Sequence, residues 1–182
     1  MRGSPSGWGA RGTGLALAGA LVLVGVHAVA CATPVTSEAG RFRARQDGAS
    51  IADLATLEPG WQRQEGRGAL LVFRTSDGTR AAWVRQCRGA AAAARPEAHA
   101  LLVRLEGAEV EREGPVLIAG REAWSLVASA NEDGRRVRLK CVTRVSATGC
   151  TDDFLLTTAG DLSAREGGFD RWWASYAEGT PG

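Results

Sequence analysis

The chain has 182 residues, 45% of them hydrophobic and 23% charged, with 24 Gly, 6 Pro and 4 Cys. That is the composition of one folded domain, and it excludes both a disordered chain and a disulfide-dense miniprotein. The formal charge of +2 overstates the folded part: without Arg2 and Arg11 in the leader, the 22 Lys+Arg fall to 20, against 20 Asp+Glu. A neutral mature chain offers no electrostatic case for nucleic acid.

Arg2 and Arg11 precede an uncharged run from Gly14 to Ala30, which closes on Ala28-Val29-Ala30-Cys31. A positive flank, an apolar run and small residues at the end predict a signal peptide over residues 1–30. With Cys31 directly after the small residues, the segment resembles the lipobox of bacterial lipoproteins. The resemblance implies that Cys31 is diacylated, the leader removed and the new amine acylated. Two features depart from the pattern: Ala28 stands where Leu is usual, and His27 interrupts the apolar run. Ordinary cleavage before an unmodified Cys31 therefore stays open, as does an uncleaved anchor, although about 17 residues is short for a bilayer. Ala32, where enteric inner-membrane lipoproteins carry Asp, points to the outer membrane of the cell envelope.

Residues 31–49 read as the lipidated N-terminus and a flexible linker, polar and without sustained periodicity. Its cluster of Arg41, Arg43 and Arg45 is either a solvated tether or a contact for anionic lipid. A single domain is expected over residues 50–178, followed by a tail at 179–182. Ala69–Arg74 and Ala81–Cys87 are apolar runs separated by Thr75-Ser76-Asp77-Gly78, a hairpin signature. From Ala90 to Gly107, Pro96 suits a first turn and Ala98, Leu101, Leu102 and Leu105 recur at helical spacing.

Val110, Val116–Ile118 and Ala123–Ala130 predict short strands, and Asn131-Glu132-Asp133-Gly134 a turn. Over Arg135–Val145 the residues Val137, Leu139 and Cys141 alternate with Arg136, Arg138 and Lys140, as in an antiparallel sheet with one wet face. Beyond the turn at Ser146–Gly149, Cys150–Thr157 is apolar on both faces after Asp153, which predicts a central strand. From Gly168 to Ala177, Phe169, Trp172, Trp173 and Tyr176 form one aromatic stripe suited to the covered face of a sheet. The fold class is α+β, an antiparallel sheet with helices packed on it.

The order of these elements resembles the PsbP-like α/β/α group, which includes bacterial envelope lipoproteins. The residues that carry the resemblance are Ala100-Leu101-Leu102 after the Cys87 strand, Gly120-Arg121-Glu122-Ala123-Trp124, Cys150-Thr151-Asp152-Asp153-Phe154, and Phe169–Tyr176. It covers about residues 48–178 and contains no catalytic motif. It implies an accessory or assembly role beside a larger membrane complex, without chemistry of its own.

With Cys31 assigned to lipid, Cys87, Cys141 and Cys150 remain in an oxidising compartment, enough for one intramolecular disulfide. A turn at Ser146–Gly149 makes Val145 the neighbour of Cys150 and puts Cys141 opposite Phe154, so Cys87–Cys150 is the favoured pair. A hydrolase triad lacks a base, since His99 is the one histidine after the leader and reads as a solvated helix residue. The cysteines are too scattered for zinc, and Asp152 and Asp153, adjacent on a strand, point to opposite faces. No metal or cofactor is expected. The function read from the sequence is a non-enzymatic envelope lipoprotein with the membrane and a protein complex as partners. The alternative is a small-ligand carrier with Trp61, Trp83 or Trp124 lining its pocket.

Overall fold

The structure, a computed structural model, describes residues 35–45, 47–65, 69–87, 93–147 and 149–179. The leader and Cys31 lie outside the described residues. Three strands open the chain: β1 (Val35–Glu38), β2 (Arg41–Ala44) and β3 (Ser50–Ala52) form a small antiparallel sheet in that order. This corrects the flexible linker expected up to residue 49. Phe42 and Ala44 turn inward and are buried while Arg43 faces out, an alternation too short to stand out from a polar segment. The turn is equally silent in sequence, because Ala39 and Gly40 both adopt positive φ (48° and 72°), a conformation usually signalled by Asn-Gly or Asp-Gly.

After α1 (Leu54–Leu57), capped by Asp53 accepting from the Ala55 amide at 3.0 Å, the main sheet is built. Its strands are β4 (Gln62–Gln64), β5 (Leu71–Arg74), β6 (Arg80–Cys87), β7 (Glu106–Ile118), β8 (Arg121–Glu132), β9 (Arg135–Val145) and β10 (Cys150–Thr158). They lie antiparallel in the order β4-β5-β6-β10-β9-β8-β7. β10 is thus central, between β6 and β9, as its two apolar faces require. The strands expected at Val110 and Val116–Ile118 are one long β7 with irregular register near Glu109 and Arg112. The β9–β10 register is one residue from that expected: Val145 pairs with Thr151, and Cys141 sits opposite Leu155, not Phe154. The amide of Ser146 bonds to the Cys150 carbonyl at 2.7 Å and so extends the ladder by one step.

Two helices cover the sheet. α2 (Ala94–Leu102) lies on one face with Leu102 against Leu126, Ala128, Leu139 and Cys141. It is shorter than the expected 90–107, because Glu106 already belongs to β7; residues 90–92 lie outside the described residues. On the other face α3 (Ser163–Ala174) buries Phe169 and Trp172, and Tyr176 follows the helix into the same core. Phe154 meets Trp172 and Tyr176 edge-on, with ring centroids 6.1 and 5.6 Å apart. The aromatic stripe is therefore core, apart from the half-buried Trp173.

α3 starts five residues before the expected Gly168, and the glycine has a packing reason. A Cβ at Gly168 would stand 1.3 Å from Glu58 Oε2, so glycine leaves room for the Glu58 carboxylate to lie against α3, and a larger residue would displace that side chain. Arg136 and Arg138 face solvent, but Lys140 is buried under α3, 2.8 Å from Glu166 and 2.6 Å from Asp170. The face read as wet is dry where the helix crosses it.

Candidate functional site

Directly paired residues on neighbouring strands share a face, and this places one charged row across the centre of the sheet. Asp152 of β10 pairs with Arg85 of β6 on one side and Arg144 of β9 on the other. All three side chains are fully buried on the α3 face. Asp152 accepts from Trp83 Nε1 at 2.9 Å, from Arg85 Nη1 at 2.7 and 2.8 Å, and from the Tyr176 hydroxyl at 3.0 Å. Burial pushes the Asp152 carboxyl up, against the pull of Arg85, Trp83 and Tyr176.

Arg144 lies 3.9 Å from Asp152, 2.7 Å from Glu178, and over the Tyr176 ring at 4.8 Å. Asp47, in the turn between β2 and β3, completes the cluster by pairing with Arg85. The next row is the disulfide: Cys87 and Cys150 are register partners with Sγ atoms 2.04 Å apart. The cluster ties the N-terminal sheet, the central strands and the C-terminal tail at one end of the molecule. Burial first, and Asp152 beside it, push the Tyr176 hydroxyl up to about 12. A carboxylate saturated by donors, beside a phenol that holds its proton, stabilises structure and offers no acid–base step at neutral pH.

On the opposite face, Asp153 accepts from Thr143 Oγ1 at 2.7 Å, and Cys141 Sγ lies 3.2 Å from the same oxygen. The two adjacent aspartates thus face opposite ways. Burial pushes the Asp153 carboxyl up to about 7, opposed by the Thr143 hydrogen bond and reinforced by Asp152 and Glu97. Unfolded, it titrates near 3.9. Between about pH 4 and 7 the folded chain therefore holds a proton that the unfolded chain has released. The stability from that proton is full below pH 4 and lost as pH rises through 7. Asp153→Asn keeps an acceptor for Thr143 and is expected to raise the urea midpoint above wild type at pH 8, with no difference at pH 4. A lower midpoint at pH 8 would contradict this.

A third cluster centres on Glu113 of β7. It receives Arg95 at 2.9 Å and Trp124 Nε1 at 2.9 Å, with His99 Nε2 at 2.6 Å, and Arg95 lies over the Trp124 ring at 5.1 Å. Hydrogen bonds from Trp124 and then His99 hold the Glu113 carboxyl down at about 2. His99 is on the helix and partly exposed, as expected, and in addition its contact with Glu113 fastens α2 to the β7–β8 hairpin. Sequence spacing carries no trace of a contact between residues 99 and 113.

The three tryptophans do not converge. Trp83 is fully buried, stacked on Phe154, and Trp61 is buried in the same core under Arg165. Trp124 packs with the core under α2, across the sheet. An open groove of about 210 Å³ runs past Gly114, Ser125 and Lys140, and its cations Arg112 and Lys140 are both paired with Glu166. Among the described residues no group of three or more His, Cys, Asp or Glu is placed to hold a metal. No described helix is long and apolar enough to cross a membrane.

Sequence reasoning missed Arg85 and Arg144. Arg85 stands two places from the core residue Trp83, so strand parity alone puts its guanidinium inside, where it needs an acid.

A seven-stranded antiparallel sheet between helices, with a buried row of ion-paired charges at its centre, defines an α/β/α sandwich. No family model matches the chain, and no curated protein matches it in sequence. Among solved structures it is similar to LpqN of Mycobacterium tuberculosis, a protein involved in cell envelope biogenesis. The TM-score is 0.56 at 14% identity, over 74% of this chain and 86% of that one. It is also similar to cyanobacterial PsbP (CyanoP) from Synechocystis sp. PCC 6803, with a TM-score of 0.53 at 16% identity over 86% and 98% of the two chains. The fold is PsbP-like.

Proposed function

We propose that this chain is a non-enzymatic, lipid-anchored module of the bacterial cell envelope, fastened at Cys31 and acting by contact with a larger protein complex. The observation that carries the reading is how its chemistry-bearing side chains are used. Asp152 is saturated by four hydrogen bonds, and His99, the one histidine among the described residues, is bound to Glu113. Such groups hold the scaffold together and leave recognition to its surface. The leader ending at Cys31 and the envelope role of LpqN support the address, with the outer membrane favoured by Ala32. The carrier reading is weaker, since Trp83 lies in the core on one side of the sheet and the half-buried Trp124 packs against the core on the other.

Labelled palmitate tests the anchor: wild type is expected to take up label and Cys31→Ala to take up none, and an unlabelled wild type removes the claim. In-cell crosslinking tests the role. A reproducible envelope-protein adduct is expected, and its absence, with a small molecule co-purifying in stoichiometric amount, would favour the carrier.

A further inference from the structure

We propose that the outer face of the β1–β2 hairpin is a docking surface for the anionic headgroups of the membrane that holds Cys31. The proposal rests on acylation of Cys31 and adds to it an orientation for the folded domain. In the sequence, residues 31–49 look like a spacer that could extend to about 65 Å. The fold removes most of that spacer. β1 begins at Val35, so the chain from Cys31 to Val35 spans about 14 Å at full extension. Part of that length is taken up by a headgroup layer roughly 5–8 Å deep. The domain is held against the surface, and the residues near Val35 are the ones that meet it.

Those residues are basic. Val35 pairs with Ala44, which puts the arriving chain beside Arg43 and Arg45. Phe42 and Ala44 point into the core, while Arg43 and Arg45 are exposed. Neither makes an ion pair among the described residues, whereas Arg112, Arg136 and Arg138 on the long β7–β9 surface each meet a glutamate. Exposed Arg63 stands near the same hairpin, 4.7 Å from the Phe42 ring. Arg41 is engaged by Ser50 and the Ser175 carbonyl. The acid of the hairpin, Glu38, pairs in register with Arg41 at the end away from Val35.

A cation close to an anionic leaflet gains about fivefold in occupancy, and the gain fades within a Debye length. Without the short tether, two or three arginines would bind weakly. With it, Arg43 and Arg45 together bias the docked over the swung-away orientation by about 30-fold.

The test uses the full chain purified from membranes and reconstituted in phosphatidylcholine vesicles with and without phosphatidylglycerol. Backbone hydrogen exchange is followed by mass spectrometry, which also reads the state of Cys31. Exchange over residues 36–45 is expected to slow only with phosphatidylglycerol, and the slowing to vanish in high salt and in the Arg43→Gln/Arg45→Gln variant. Unchanged exchange in α3 of that variant shows that it remains folded. Acylated Cys31 with equal exchange in both vesicles overturns the docking surface and leaves the anchor standing. An unmodified Cys31 overturns the anchor and takes the surface with it.

Discussion

Asp152→Asn is expected to lower the stability of the folded chain by about 3–5 kcal/mol, the cost of breaking a buried ion pair from one side. Asn matches the shape of Asp but leaves Arg85 and Arg144, both fully buried, without the carboxylate between them. Asp47 and Glu178 remain, each reaching one guanidinium from a partly exposed position, and neither replaces a charge shared by the two. Against a typical total of about 5–15 kcal/mol, that is a loss of between about a fifth and all of the stability. The measurement is a urea midpoint at pH 7 with an unchanged denaturant slope. Tyr176→Phe is the control: it removes one of the four hydrogen bonds to Asp152 and is expected to cost about 1 kcal/mol. If Asp152→Asn costs no more than that control, the peripheral acids suffice and the row is not the clamp described here.

The second large effect is expected from the Cys87–Cys150 disulfide, whose cysteines are 63 residues apart in sequence. Closing a loop of that length stabilises by about 4 kcal/mol in the chain-entropy account. The loop contains α2 and β7 to β9, so the bond holds half of the sheet to β6. Cys87→Ala/Cys150→Ala is expected to lower the melting temperature by roughly 10–15 °C, as is reduction of the native protein. A linked Cys87–Cys150 peptide in a non-reduced digest checks the pairing, and a linked Cys141–Cys150 peptide would refute it. Cys141 is fully buried, and burial, then Asp153, push its thiol well up. It is expected to resist alkylation until the chain unfolds. A fall of only a few degrees would mean that the charged row carries that end of the sheet alone.

These two effects sit two residues apart along β6 and β10, and they differ in how legible they were. The cysteine pair followed from counting thiols and from the hairpin at residues 146–149, even though the register assumed there was one residue off. A single step moved Cys141 from opposite Phe154 to opposite Leu155, which left the choice of partner for Cys150 unaffected. The row Arg85–Asp152–Arg144 was hidden because parity with Trp83 turns Arg85 inward without naming its partner, and nothing local to Asp152 or Arg144 says which strands lie beside theirs. Only the pairing of β6, β10 and β9 brings them level, and only α3 and Tyr176 exclude the water.

The contact of His99 with Glu113 has the same origin, two surface residues joined by the way α2 crosses the sheet. Residues 35–52 failed differently. Strands of three or four residues do not establish a period, and a turn at Ala39-Gly40 lacks the usual residues.

What the sequence by itself determined is what repeats locally: the alternation of β9, the two-sided apolarity of β10 and the aromatic stripe that runs from α3 to Tyr176. Each is a pattern whose period matches a backbone geometry, so each is written in neighbouring residues. The tertiary structure alone decided which charges are buried together, that strand pairing starts as early as Val35, and which arginines make no ion pair among the described residues. Those depend on distances between residues far apart in the chain, and such distances exist only once the sheet has closed its register and the helices have covered it.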